Sequence, residues 1–368
     1  MTRLRPIAQN LALLAGSLLL VAAALEVALR LHTQFASPAT LADLETEEEA
    51  TPAEPRTVAA RGRIHQIRPS ANERIVYELK PNLRVVDEEG NTYTTNSAGF
   101  RGPEVRAQKE PGTVRIVGLG DSVMYGTGVS DGENFLSLLR RQLDARYPSV
   151  EWEIVNTAVP GYNTVMEVET LATKGLRYAP DLVIIMFVGN DLHLPNFILE
   201  PVDAWKRHSL LLETLTTRLG RLPVARLVRA PRAHDGNWFE GDPERVPERY
   251  RAMVGEGAYR RAMTRLRDLS VKHGFEVLVL QQFDRLGVAE ICDSLGLPYF
   301  TFEPAIRAYQ RAHGIERWKG SPLSVSPSDP HPSPLGHRLY ADTLRARLEA
   351  DGTPARLAVA AGEPSLAP

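Results

Sequence analysis

The feature that most constrains this chain is a serine placed directly after a short apolar stretch. Residues Val114 to Val117 are mostly apolar, and the segment Gly-Leu-Gly-Asp-Ser-Val-Met-Tyr-Gly follows at 118–126. A strand that delivers Ser122 into a tight turn presents its hydroxyl for nucleophilic chemistry, provided that a base is near. Far downstream the chain carries Asp329-Pro330-His331-Pro332. The two segments together predict a nucleophilic hydrolase.

The rest of the central region alternates between strand and helix patterns. Mostly apolar runs of strand length lie at Val114 to Leu119, Trp152 to Asn156, Leu182 to Val188, Val277 to Leu280 and Pro298 to Phe302. Helical patterns lie between them near 133–147, 164–177, 257–273 and 286–296. Nearly continuous apolarity indicates strands buried on both faces, which is typical of parallel sheets. We predict a three-layer α/β/α sandwich with a mostly parallel five-stranded sheet.

The N-terminus carries a candidate membrane segment. Leu11 to Leu25 is an unbroken run of apolar or small residues, which Arg3 and Arg5 precede and Glu26 follows. Such a run crosses most of a bilayer, and arginines before it favour a cytoplasmic N-terminus. We therefore interpret 1–35 as a transmembrane signal anchor; a cleaved signal peptide, with small residues at Ala22 to Ala24, is the alternative.

The rest of the chain divides into segments that differ in residue composition. Residues 36–62 are polar, acidic and proline-containing, which predicts a flexible linker. Residues 63–110 contain short alternating stretches around the turn Glu88-Glu89-Gly90, which predict a small β-hairpin extension. The hydrolase domain is expected at 111–350, and the Ala-rich, Pro-rich and Gly-rich end at 351–368 is expected to be a disordered tail. The rhythm breaks at 192–256, which we interpret as an insertion, either a lid or a surface decoration.

Charge and cysteine content exclude several classes of protein. The chain has 43 Lys and Arg against 45 Asp and Glu, with a formal net charge of -2, so no overall field attracts nucleic acid. The single cysteine, Cys292, excludes an intrachain disulfide and a Cys-rich metal site. We expect it to be a buried structural residue in preference to a reactive thiol.

Two further positions follow predicted strands. Gly161 lies just past the second strand and Asn190 just past the third. Because the carboxyl ends of parallel strands meet at one edge of a sheet, both are expected beside Ser122, where open α/β sheets bind ligands.

These segments resemble the GDSL or SGNH hydrolase family, named for four blocks that carry Ser, Gly, Asn and His. The matching residues are Gly120-Asp121-Ser122, Gly161, Gly189-Asn190-Asp191 and the segment His331 to His337. The resemblance covers roughly residues 96–350 and implies a flavodoxin-like fold that needs no metal or nucleotide cofactor.

The resemblance also implies a role for each site residue. Ser122 is the nucleophile, and its own N–H joins the oxyanion hole. Gly161 adds a backbone N–H and Asn190 its side-chain amide. His331 is the general base and then the acid, and Asp329 orients its ring. The usual family spacing is Asp-x-x-His, whereas Ser328 stands at that position here, so a Ser-His dyad helped by a carbonyl is the alternative.

Neighbouring residues receive minor roles. We expect His337 to face solvent or cap a neighbour at the start of a helix reaching Leu348, and His193 to line the pocket rim. Asp121 and Asp191 are expected to bond loop backbone.

The segment 96–102, Asn-Ser-Ala-Gly-Phe-Arg-Gly, resembles one in membrane-anchored bacterial members of the family. We expect its Arg101 to help pin the hairpin to the domain; contact with an anionic part of the substrate is the alternative.

The sequence therefore predicts a serine esterase or acyl hydrolase anchored as a single-pass protein in a bacterial inner membrane, with a periplasmic catalytic domain. Its substrate is expected to be an ester of the cell envelope, on a glycan or a lipid. Two alternatives remain at this point, namely an O-acyltransferase acting on envelope polysaccharide and a non-catalytic binding or assembly protein.

Overall fold

The computed structural model describes residues 4–35, 57–59, 66–87, 89–195, 239–284 and 287–362. Helix α1 (Leu4–Phe35) belongs to a different compact unit from the other described elements. It contains a segment of 19 residues, Leu13–Leu31, with a mean hydropathy of 1.9. By length and composition this helix is a candidate membrane anchor or signal sequence.

Twelve strands are described, and most are short. In chain order they are β1 (Thr57–Ala59), β2 (Ile67–Pro69), β3 (Tyr77–Leu79), β4 (Arg84–Val86), β5 (Thr92–Thr94), β6 (Thr113–Leu119), β7 (Glu151–Asn156), β8 (Leu182–Phe187), β9 (Leu194–Pro195), β10 (Phe239–Glu240), β11 (Glu276–Gln281) and β12 (Tyr299–Thr301). Five of them form the central sheet in the order β12-β11-β8-β6-β7. Every neighbouring pair in that sheet is parallel. The predicted fold class is confirmed.

Helices cover both faces of the central sheet. They are α2 (Ser122–Tyr125), α3 (Phe135–Arg146), α4 (Thr164–Thr173), α5 (Glu256–His273), α6 (Val288–Leu295), α7 (Glu303–Ala312), α8 (Pro334–Ala350) and α9 (Thr353–Ala360). On one face, alternate strand residues such as Val117, Val183 and Val279 share a core with α4, α5 and α6. On the other face α3 approaches β6 so closely that a Cβ on Gly118 would lie 2.4 Å from Leu136 Cδ1.

The N-terminal extension contains more structure than the sequence predicts. Strands β4 and β5 form the expected antiparallel hairpin, and β2 and β3 form a second one. Strand β1 pairs parallel with β4, so the prediction of a flexible linker over 36–62 is wrong for Thr57–Ala59. The other residues of that linker lie outside the described part of the chain.

The predicted insertion is described only at its two ends. Strand β9 pairs antiparallel with β10, so the chain returns close to the point where it left the domain. Residues 196–238, which include the expected lid, lie outside the described ranges.

The chain end differs from expectation. Residues after Gly352 form helix α9 instead of a disordered tail, because Leu357 and Ala358 are buried (5% and 0% exposed) and supply the core contact that orders the segment. Residues 363–368 lie outside the described residues. Helix α7 was also not predicted, although its apolar positions follow helical spacing.

Candidate active site

Ser122 begins the single-turn helix α2 at the carboxyl end of β6. Asp121 caps this turn, because its Oδ1 accepts the Val123 N–H at 2.9 Å. The turn closes on Gly126, whose φ of +88° suits glycine and whose N–H donates to Ser122 O. A Cβ on Gly126 would lie 2.6 Å from Asn134 Cβ. The local sequence therefore forces a sharp strand-to-helix turn with Ser122 at its tip.

The structure brings Ser122, His331 and Asp329 together. His331 Nε2 lies 2.8 Å from Ser122 Oγ. On the other side of the ring, His331 Nδ1 lies 2.5 Å from Asp329 Oδ1. The same Asp329 oxygen accepts the His331 backbone N–H at 2.9 Å, so the two-residue spacing closes a small turn. A bent loop lets the carboxylate reach the ring despite the unusual spacing.

The loop that carries His331 is held by several hydrogen bonds. The Val325 N–H donates to His331 O at 2.8 Å, and Trp318 Nε1 donates to Pro330 O at 2.7 Å. Ser326 Oγ accepts the Asp329 N–H at 3.0 Å. Because carbonyls and amides on both sides of the imidazole are bonded, the ring is held in one orientation.

Ser122 Oγ also lies 3.1 Å from Asp121 Oδ2. A hydroxyl has one proton, so it donates to either His331 or Asp121 at a given moment. Donation to His331 is the arrangement that activation of a serine nucleophile requires.

The predicted oxyanion donors are Gly161 and Asn190. Each follows a strand of the central sheet, at the edge where the strands end. Gly161 comes after β7 and has a φ of +85°, a conformation that suits glycine. The Val159 N–H donates to Gly120 O at 3.2 Å, which holds this loop beside the turn that carries Ser122. Asn190 lies in the short 3₁₀ helix Gly189–Leu192 after β8, and its Nδ2 is 3.4 Å from Tyr162 O.

A pair of buried carboxyls lies behind this edge. Asp191 Oδ2 accepts the Val188 N–H at 2.6 Å, and its Oδ1 accepts the Thr164 hydroxyl at 2.7 Å. Burial, reinforced by the charge of Asp121, raises the pKa of Asp191 to about 8. Burial also raises the pKa of Glu167 well above its usual value, with the charge of Asp191 as the next cause. The expected backbone-bonding role of Asp121 and Asp191 is confirmed.

The remaining histidine and cysteine expectations have mixed outcomes. His337 caps a neighbour, because its Nδ1 accepts the Phe135 N–H at 3.2 Å, but the alternative that it faces solvent is wrong, since it is 0% exposed. His193 lies at the base of the insertion, where its ring packs against Gly241 and its carbonyl accepts from Asn163. Cys292 is buried, as expected, and burial raises the pKa of its thiol to about 12.

Arg101 has the structural role that the sequence favoured. Its side chain is 1% exposed and bonds protein groups, so the alternative of contact with a substrate anion is wrong.

In the part of the chain that the structure describes, no group of three or more His, Cys, Asp or Glu side chains is placed to hold a metal.

Sequence reasoning missed two residues near the site. Glu167 lies on the apolar stripe of α4 with Thr164, Val168 and Leu171, so its helical spacing pointed to burial. Tyr77, in β3, reaches the Gly161 loop across the fold, and no local pattern signals such a contact.

Comparison with known families identifies the domain. Residues 119–339 match the model of the GDSL-like Lipase/Acylhydrolase family, a span that contains every predicted site residue. The chain belongs to this family. It is an ester-hydrolysing enzyme. No match was found among curated protein sequences.

Several solved structures are similar to this GDSL-like enzyme. The acetyl xylan esterase AlAXEase has 12% identity and a TM-score of 0.39, covering 64% of this chain and 100% of its own. A catalytic mutant of an acetylxylan esterase from Geobacillus stearothermophilus has 13% identity and a TM-score of 0.39, with coverages of 64% and 93%. The lipase/acylhydrolase from Enterococcus faecalis has 15% identity and a TM-score of 0.38, with coverages of 65% and 96%.

Proposed function

We propose that the chain is a serine esterase that cleaves carboxylic O-acyl esters through Ser122, His331 and Asp329. The observation that carries the proposal is the continuous series of contacts from Asp329 Oδ1 to His331 Nδ1 (2.5 Å) and from His331 Nε2 to Ser122 Oγ (2.8 Å). A serine hydroxyl bonded to an imidazole that a carboxylate orients is the arrangement that activates a serine.

The reaction follows from this geometry. His331 Nε2 takes the hydroxyl proton as Ser122 Oγ forms a bond to the ester carbonyl carbon. The negative charge on the carbonyl oxygen is stabilised by the N–H groups of Ser122 and Gly161 and by the Asn190 amide. His331 then gives its proton to the alcohol oxygen as the C–O bond breaks. Water repeats the sequence on the acyl-enzyme, which releases the carboxylic acid and restores Ser122.

Asp329 acts on the imidazole and not on the ester. Its carboxylate accepts the Nδ1–H, which leaves Nε2 free to accept the serine proton, and it stabilises the imidazolium that forms. The backbone bond from the His331 N–H to the same carboxylate keeps the two groups aligned.

The proposed substrate is an ester of the bacterial cell envelope, on a glycan or a lipid. The apolar helix α1 and the arginines before its core support a single-pass anchor in the inner membrane with the catalytic domain on the periplasmic side. An enzyme held in that position meets envelope esters.

The test of the chemistry is hydrolysis of short and long p-nitrophenyl esters by the full chain in detergent. We expect turnover and fluorophosphonate labelling that both vanish in Ser122→Ala, with Ser270→Ala on the outer helix α5 as a control that keeps both. A folded wild-type chain with neither activity nor labelling would overturn the proposal. Acyl transfer to added sugars that exceeds hydrolysis would favour the acyltransferase alternative.

The test of location is a pair of C-terminal fusions in a bacterial host. One fusion carries alkaline phosphatase, which folds only after export, and the other carries a fluorescent protein that fluoresces only in the cytoplasm. An active phosphatase fusion together with a non-fluorescent reporter fusion is the result expected of a periplasmic domain. The reverse pattern would contradict the envelope substrate.

A further inference from the structure

The N-terminal extension contacts two of the loops on which the proposed chemistry depends. The family match begins at residue 119, so the segment 66–105 lies outside it. Within this segment, Arg101 follows the loop 96–100 and Tyr77 lies in β3. Arg101 bonds the turn that carries Ser122, and Tyr77 bonds the loop that carries Gly161.

Arg101 binds the carbonyl end of the nucleophile turn. Its Nη1 donates to Gly126 O at 2.7 Å and also to Tyr125 O, while Nη2 donates to Val129 O at 2.7 Å. Its Nε pairs with Asp131 Oδ1 at 3.1 Å. The last carbonyls of a helix lack intrahelical partners, and one guanidinium supplies partners to both of these. A single side chain therefore bonds four residues of the segment 125–131 and holds that segment in one conformation.

The guanidinium itself is held in place by aromatic rings. Its central carbon lies 4.7 Å from the centre of the Tyr93 ring and 4.6 Å from that of Tyr125. The two rings are nearly parallel, with an interplanar angle of 8°. Because the ring centroids are 5.9 Å apart, the guanidinium lies beside this stacked pair and not between the rings, within cation–π range of both. An ammonium does not reproduce its planar contacts and its several directed hydrogen bonds. The extension supplies Tyr93 and Arg101, and the nucleophile turn supplies Tyr125.

Tyr77 contacts the loop that carries Gly161, as Arg101 contacts the turn that carries Ser122. Its hydroxyl donates to Pro160 O at 2.9 Å, immediately before Gly161, and Tyr162 in return donates to Tyr77 O. The two rings meet edge to face, with centroids 5.2 Å apart. Tyr77 is 0% exposed, so the hydroxyl bond forms in a dry environment, where an unmade bond is costly.

We propose that Arg101 and Tyr77 are positioning residues of the ester-hydrolysing site. Arg101 fixes the Ser122 turn against His331, and Tyr77 fixes the Gly161 N–H toward the oxyanion. The inference rests on the proposed function of Ser122 and Gly161. It makes the extension a working part of the site and not only an attachment between the membrane segment and the domain.

The physical reason lies in the size of helix α2, which has only four residues. So short a helix has little stability of its own, and its orientation depends on tertiary contacts. A shift of about 1 Å in a reacting group can cost about 100-fold in rate. Loss of the Arg101 contacts is therefore expected to lower kcat with little change in KM.

The test compares Arg101→Lys with Arg115→Lys in the full-length enzyme. Arg115 is a matched control, because its side chain is also 1% exposed, pairs with a carboxylate and donates to the carbonyls of Ala107 and Tyr178. It lies near the start of β6, away from the Ser122 end of the sheet. Both variants should lower the unfolding temperature, so loss of stability is matched between them.

We expect Arg101→Lys to lower kcat and the rate of fluorophosphonate labelling by about 10-fold to 100-fold, with KM within about twofold. Arg115→Lys should keep both rates within about threefold of the wild type. Equal effects of the two variants would overturn the inference. An inactive wild type would instead contradict the proposed function, so the two failures are distinguishable.

Tyr77→Phe and hydrogen exchange keep the inference testable if Arg101→Lys does not fold or the wild type is inactive. Tyr77→Phe removes one hydroxyl and is expected to lower kcat about 10-fold at unchanged KM, whereas Tyr178→Phe, at a buried tyrosine outside these loops, should not. Arg101→Lys should speed amide exchange at Gly126 and Thr127, whose N–H groups bond Ser122 O. Unchanged exchange there and unchanged kcat in Tyr77→Phe would each count against the proposal.

Discussion

The imidazole Nε2 of His331 lies 2.8 Å from Ser122 Oγ, although the two residues stand 209 positions apart in the chain. Ser122 reaches this position at the end of β6, and His331 reaches it on the loop before α8. The contact is possible because the loop between α7 and α8 returns to the edge of the sheet at which β6 ends. The proposed esterase chemistry depends on this contact.

Replacing Asp329 by asparagine tests the proposed triad against the dyad. The asparagine amide favours the wrong imidazole tautomer, so we expect kcat to fall by about 100-fold to 10,000-fold while the fold persists. The control is Ser328→Ala, which changes the residue at the more usual family spacing and should leave kcat unchanged. Equal activity of Asp329→Asn and the wild type would favour the dyad.

Replacing Asn190 by alanine removes one proposed oxyanion donor. The donor acts most strongly on the charged transition state, so kcat should fall by about 100-fold with KM nearly constant. Steady-state kinetics on a short p-nitrophenyl ester measures both constants, and Asn91→Ala in the hairpin turn is the control. A rise in KM at constant kcat would show that Asn190 only binds the substrate.

The stability of the fold at acid pH should depend on His337. Burial, together with the charges of Arg101 and His331, lowers the pKa of His337 to about 3. The unfolded chain takes up this proton near pH 6.5. The contribution of His337 to the free energy of unfolding is therefore full above that pH and is lost as the pH falls toward 3, by about 1.4 kcal/mol per pH unit.

The measurement is chemical unfolding at pH 7.5 and pH 5. A glutamine does not titrate, so the difference in unfolding free energy between the wild type and His337→Gln should shrink at the lower pH. His313→Gln, at an exposed histidine, should leave that pH dependence as in the wild type. Parallel profiles for the wild type and His337→Gln would contradict the prediction.

The buried carboxyls Glu167 and Asp191 should act in the opposite direction. Their raised pKa values keep protons on the folded state that the unfolded state loses above about pH 4. Their contribution to the free energy of unfolding is therefore full below about pH 4 and is lost as the pH rises through about 8, the pKa of Asp191.

Glu167→Gln should gain stability relative to the wild type as the pH rises from 5 to 8, because its neutral amide has no proton to lose. Thermal unfolding across that range measures the difference. Glu169→Gln, two residues along α4, is the control and should not reproduce the trend. A constant difference between Glu167→Gln and the wild type would show that the pair is ionised in the folded state.

Local patterns in the sequence were sufficient for the central fold. Mostly apolar runs marked the five strands, most clearly β6 and β8, in which every residue is buried, and those predictions agree with the sheet. Short strands such as β2, and the helix α9, carry little local signal. Their order comes from contacts with distant residues, which a pattern along the chain does not record.

By itself, the sequence determined the parallel α/β sheet, the candidate membrane segment and the placing of Ser122, Gly161 and Asn190 at strand ends. These follow from local periodicity and chain order. Only the tertiary structure decided that Asp329 reaches the imidazole, that His337 is buried and that Arg101 bonds the turn that carries Ser122. Each of these depends on how a loop bends or on which distant surface covers a side chain, and neither property is encoded in the spacing of residues along the chain.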